Sequence, residues 1–269
     1  MSMSLRTPPM PVFYLVDLSL YPQLLRQMFE IDERPVYDQL YLQTAYAQHA
    51  QQGPILISLS NDSAHVAAAS WVAQGAAIEL HSHATLSQVA AHYRQLTHVD
   101  RHAGPPALFR YADSRLYAGL TSVLSDGETH ALLGPITVMK GVANGEAWRL
   151  DSPAPDDEPL GKFRLTLDHE QALQRARDRA FCQQLASDYG VAYSLVQQWL
   201  QQMKALSLSA EYAYWEGCQL LAASDYPAPL SPSHIEQLKA HKGSRQAMLD
   251  ELQTLISAQT PLPDGALDD

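Results

Sequence analysis

The chain has 269 residues, 46% of them hydrophobic, and a formal net charge of −11. Apolar content of that order over that length is enough for one large core or two small ones, which points to a soluble globular protein. No apolar run nears the roughly 20 residues of a membrane span. Residues 1–13, MSMSLRTPPMPVF, lack the apolar stretch and small-residue cleavage site of a secretory signal, so a cytoplasmic location is expected.

Seven of the acids (Asp151, Asp156, Asp157, Glu158, Asp264, Asp268 and Asp269) sit in two segments without Lys or Arg, and setting them aside leaves the body at −4. No dense Lys/Arg stripe is available to neutralise phosphates, which argues against nucleic acid as a partner. Cys182 and Cys218 both fall in helical patterns and are too few for a disulfide framework, so both are read as reduced and buried.

Along the chain, residues 11–19 (PVFYLVDLS) read as a buried strand. A helix follows, with Leu20, Leu24, Leu25, Met28 and Phe29 in register. The strand-then-helix order recurs at 53–60 before 61–75, and at 76–82 before 83–97. In the latter helix Thr85 and Gln88 have capping-box spacing. A further strand, Ala107–Tyr111, meets a helix with Asp113 placed as its N-cap. Ser125 and Glu128 then cap a short helix that Gly134-Pro135 stops. Residues 136–150 read as a hairpin turning at Asn144-Gly145. Alternation of this kind predicts an α/β lobe at 1–150 built on a largely parallel sheet, with covering helices and an edge hairpin.

Residues 151–161 (DSPAPDDEPLG) read as a linker. Beyond it the period becomes helical throughout, with Asp168 as the expected first N-cap and Leu195, Val196, Trp199, Leu200, Met203 and Leu206 on one stripe. This predicts an all-α lobe at 162–258 and a disordered tail at 259–269.

Catalytic templates fail one after another. The chain has no G-x-S-x-G elbow, no C-x-x-C pair, no P-loop and no G-x-G-x-x-G. His169-Glu170 opens like a zinc-protease helix, but Leu173 stands where the second His is required. His81 and His83, with His65, His92, His98 and His102 elsewhere, could meet at a metal, yet no acidic or cysteine co-ligand has suitable spacing. No metal, cofactor or catalytic residue is therefore assigned. Arg110, Asp113 and Arg115 admit two readings. One is a charged site at the carboxyl end of a strand; the other is a cap beside an arginine paired to a carboxylate. Tyr212, Tyr214 and Trp215 are candidate partner-binding anchors, while core packing explains at least Trp199 equally well.

GPILISL (53–59), AHYRQL (91–96), LFRYADSRLYAGL (108–120) and LLGPITVM (132–139) follow one another with the order and approximate spacing seen in the type VI secretion effector chaperones, or adaptors, of domain-of-unknown-function family 4123. The chain resembles that family over about residues 12–140. Phe109, Arg110, Asp113 and Arg115 match its strand-helix joint, with Ala112 and Ser114 in place of the usual Tyr and Pro, while Gly134 and Pro135 match its Gly-Pro-Ile strand opening. The resemblance implies a cytoplasmic, non-catalytic adaptor, not itself secreted, that binds a toxic effector and delivers it to the valine-glycine-repeat spike protein. It makes these six residues structural and implies no membrane or nucleic-acid partner. The two lobes together would form the effector's groove. The competing expectations are an enzyme with its site near Arg110 and Asp113, or a structural subunit of the secretion apparatus.

Overall fold

Nearly every residue of Val12–Asp17 is buried, because helices cover both sides of this strand. The computed structural model describes residues 10–153, 161–206, 211–241 and 244–259. In chain order, β1 (Val12–Asp17) is followed by α1 (Leu24–Ile31), β2 (Val36–Gln39), a 3-10 turn at Ala47–Gln52, β3 (Pro54–Ser58), α2 (Asp62–Ala73), β4 (Ile78–His81) and α3 (Leu86–Gln95). Then come β5 (His98–Arg101), β6 (Ala107–Leu108), α4 (Ser114–Leu120), α5 (Asp126–Leu133), β7 (Val138–Ala143), β8 (Glu146–Asp151) and β9 (Arg164–Leu165).

The expected parallel sheet is corrected by the strand pairing. Six strands lie in the order β2-β3-β1-β4-β7-β8, and each neighbouring pair is antiparallel. Among the described residues the one parallel ladder joins β5 to β9, in a separate sheet ordered β6-β5-β9. Because β3 and β4 both run against β1, they are parallel to each other. The β3–α2–β4 crossover is therefore of the right kind, but β1 is inserted between its two strands. Apolar runs reveal that a strand is covered on both faces, and that coverage is common in parallel sheets. They carry no information about direction, and here the same coverage falls on an antiparallel sheet.

One face packs Tyr14, Val16, Ile55 and Ile57 against Leu24 and Met28 of α1 and Ala64, Ala68 and Trp71 of α2. The other packs Phe13, Leu15, Leu56, Ile78 and Leu80 against Val89, Ala90 and Tyr93 of α3, Tyr117 and Leu120 of α4, and Leu132 and Leu133 of α5. Local signals hold the ends. Thr85 with Gln88 and Ser125 with Glu128 form complete capping boxes. Asn144 and Gly145 take φ of 53° and 79°, the left-handed pair that a two-residue hairpin turn requires.

The chain divides into two compact units between Arg177 and Asp178, inside α6 (Leu167–Tyr189), so the start of that helix belongs with the sheet. There Thr166 receives the backbone N–H of His169 and gives its own to His169 Nδ1. The cap of α6 is thus Thr166, and Asp168 lies in the first turn. Of the expected linker, residues 154–160 lie outside the described residues, and Asp151 closes β8. Residues 260–269 of the expected tail also lie outside them.

The second unit contains the rest of α6 with α7 (Tyr193–Ala205), α8 (Glu211–Ala223), α9 (Pro232–Ala240) and α10 (Arg245–Gln259). Its core gathers Leu185, Val196, Trp199, Met203, Cys218, Leu221, Leu238 and Leu252. Trp199 is fully buried and donates its indole N–H to Ala228 O at 2.9 Å, so its polar atom is satisfied.

Candidate functional site

The joint between β6 and α4 begins where Phe109 turns inward, its N–H on Thr97 O at 3.0 Å and its ring 5.6 Å from Phe163. Alternation then turns Arg110 outward and Tyr111 inward. Asp113 gives its N–H to Arg110 O at 2.9 Å, closing a tight turn. Its Oδ1 accepts from Arg115 N at 3.1 Å, which caps α4. Arg115 reaches back over the cap and donates Nε to Oδ1 at 2.9 Å and Nη2 to Oδ2 at 2.7 Å. Those bonds to Asp113 hold the Arg115 guanidinium above its usual pKa, against desolvation.

Ser114 ties the joint to the β7–β8 hairpin. Its Oγ donates to Val142 O at 2.7 Å and accepts the indole N–H of Trp148 at 3.0 Å. A Cβ on Gly141 would lie 2.6 Å from Trp148 and 2.8 Å from Ser114 Oγ, so the strand passes close enough for this contact only without a side chain. Tyr117 adds a hydrogen bond to Tyr111 O at 2.7 Å.

Arg110 finds its partner at the end of β1. Its Nη2 donates to Asp17 Oδ2 at 2.6 Å and to Ser19 Oγ at 2.8 Å, while Asp17 Oδ1 accepts the Ser19 N–H at 2.9 Å and hydroxyl at 2.6 Å. The Tyr41 hydroxyl lies in the same field. Burial, then Asp17, pushes its pKa up to about 12, and Arg110 partly offsets this. Tyr41 leads on to an aromatic series, with Tyr46 5.4 Å away and His98 stacked on Tyr46 at 5.0 Å. Beneath the joint, the Tyr111 hydroxyl is buried near that of Thr97, short of hydrogen-bond geometry, and burial raises its pKa.

Gly134 has φ +54°, and any Cβ there would overlap the imidazole of His92. Pro135 O accepts from Ser82 Oγ at 2.5 Å, which fixes the chain where it turns into β7. Burial lowers the pKa of His92, partly countered by the hydrogen bond its Nε2 donates to Leu132 O at 2.9 Å. A cavity of about 200 Å³ opens beside it, walled also by His98, Asp100 and Phe163.

Phe109, Arg110, Asp113 and Arg115 therefore stand together, joined by Asp17, Ser19 and Tyr41, which sequence reasoning missed. No local signal could have found them, since the Arg110–Asp17 contact spans 93 positions. Tyr214 and Trp215 lie in the other compact unit. Both are half-buried against its core, Trp215 stacked on Phe181 at 5.1 Å, whereas the side chain of Tyr212 is outside the described residues. Among the described residues no group of three or more His, Cys, Asp or Glu is placed to hold a metal ion, and no helix is long and apolar enough to cross a membrane.

Residues 12–131 match the family model described as Domain of unknown function (DUF4123). The DUF4123 match runs from β1 into α5, so it takes in both halves of the Asp17–Arg110 contact and the whole capped joint. It stops before Gly134 and the β7–β8 hairpin. No curated protein and no solved structure matches the chain.

Proposed function

We propose that this protein is a cytoplasmic, non-catalytic adaptor that binds a toxic effector of a type VI secretion system and hands it to the valine-glycine-repeat spike protein. The observation that carries this reading is the occupation of the joint. Arg110 is bonded to Asp17 and Ser19, Asp113 caps α4 and grips Arg115, and Ser114 bridges to the hairpin. Polar side chains committed to one another in this way serve as structural ties of a scaffold. A catalytic acid or base would need reach toward a substrate. The DUF4123 match over the same residues supports the likeness of the joint to that of the effector adaptors.

Co-expression tests it. The full-length chain, produced with the toxin and spike genes that neighbour its own, should co-purify with the toxin and raise its soluble yield. Recovery of neither toxin nor spike component, from a chain that is folded by circular dichroism, overturns the reading. Turnover of a small molecule that Arg110→Lys abolishes without loss of stability would put an enzyme in its place.

A further inference from the structure

The outward face of the joint carries exposed cations on an acidic chain. Two acid–arginine pairs stand there, both oriented the same way. The side chains of Asp17 and Asp113 are 7% and 9% exposed, whereas those of Arg110 and Arg115 are 42% and 49% exposed. Carboxylates lie beneath and guanidinium groups above, so solvent meets positive charge. Arg110 spends only Nη2 on Asp17 and Ser19, and among the described residues its Nε and Nη1 donors make no hydrogen bond. Arg115 likewise uses Nε and Nη2 on Asp113 and keeps Nη1. Unused guanidinium donors match a carboxylate in charge and geometry.

An apolar strip adjoins this charge. Leu108, 41% exposed, sits directly across the ladder from His98. His98 stacks on Tyr46, and Tyr46 packs on Tyr41, whose hydroxyl is within electrostatic reach of Arg110. The face thus runs from leucine through aromatic rings to arginine, and tyrosine and arginine are enriched in interface hot spots. It is longer than a lone carboxylate needs and suits an extended chain. With a formal net charge of −11 the protein repels acidic segments at long range, so such a segment is held only by contacts within about a Debye length (~8 Å) of these arginines.

We propose that this face docks an acidic peptide segment of a partner protein, with a carboxylate on Arg110 and Arg115 and apolar side chains along Leu108, His98 and Tyr46. The proposal rests on the adaptor reading and names its contact surface. The test is a random dodecapeptide phage library panned on the full-length chain, followed by synthetic versions of the enriched peptides in fluorescence polarisation. Enriched sequences should set Asp or Glu beside Leu, Ile, Phe or Tyr. Exchanging that acid for its amide should weaken binding about tenfold, as loss of a charge-assisted pair requires. Leu108→Asp and Tyr46→Ala should each weaken it about tenfold while leaving the thermal midpoint in place.

A basic or uncharged consensus, no enrichment at all, or full affinity in both variants overturns the proposal. Displacement of the peptides by a short oligonucleotide would instead assign the face to nucleic acid and overturn it too. A toxin still captured by Leu108→Asp removes this face but leaves the adaptor reading standing. Acidic peptides bound here, with no toxin captured by the wild-type chain, give the reverse result.

Discussion

Removing the Arg110 guanidinium tests whether the joint is a structural tie. Arg110→Ala deletes one of the three donors on the buried Asp17 carboxylate and leaves the Ser19 N–H and hydroxyl on the other oxygen. Breaking a fully buried ion pair costs about 3–5 kcal/mol. Here the arginine is nearly half-exposed and two donors remain, which reduces the expected loss to about 2 kcal/mol. For a domain of this size about 2–4 °C accompanies each kcal/mol, so the midpoint of the sheet-containing unit should fall by about 6 °C. The assay is thermal and urea unfolding followed by near-ultraviolet circular dichroism, with Asp17→Asn and the double variant completing a cycle. The double variant should be more stable than the sum of the single losses, with a coupling of about 1–2 kcal/mol. An unmoved midpoint, or single losses that simply add, would refute the argument that this pair holds the joint.

Gly134→Ala should cost about 3 kcal/mol, from the left-handed backbone and the overlap with His92, and urea midpoints would reveal a smaller effect. Burial raises the pKa of Glu128, but the Ser125 N–H, the Ser125 hydroxyl and His169 outweigh it and leave the carboxyl below its usual range. Its stabilisation is therefore complete above the ordinary glutamate pKa and lost as pH falls through the lower folded value. Acid titration of the thermal midpoint should show this loss, and Ser125→Ala should lessen it. Burial, then Asp178, pushes the Cys182 thiol up to about 11, and burial raises Cys218 further. Both should resist alkylation at pH 8 in the native protein and react only in denaturant, as mass spectrometry will show. Trp199→Ala should destabilise the helical unit by about 3–5 kcal/mol, measurable as a shifted unfolding midpoint.

Features set by neighbours a few positions apart were legible in the sequence. Thr85 finds Gln88 and Ser125 finds Glu128 three residues on. Asp113 caps the helix it precedes, and Asn144-Gly145 turns the hairpin, because each of these bonds closes within one turn of chain. Helical periodicity likewise marked Val196, Trp199, Leu200 and Met203 as one buried stripe. Strand β2 escaped notice, since Val36 and Tyr37 are both exposed and show no alternation. Outside the hairpin, strand direction lay beyond sequence reading, because an apolar run looks the same whichever way it points. The insertion of β1 between β3 and β4, together with the pairing of β2 on β3 and of β7 on β4, made the sheet antiparallel. The same holds for the joint. That Arg110 would need a carboxylate follows from its chemistry, but Asp17 became that carboxylate, and Tyr41, Tyr46 and His98 became its neighbours, only when folding closed loops of fifty to ninety residues whose ends carry no mutual signal.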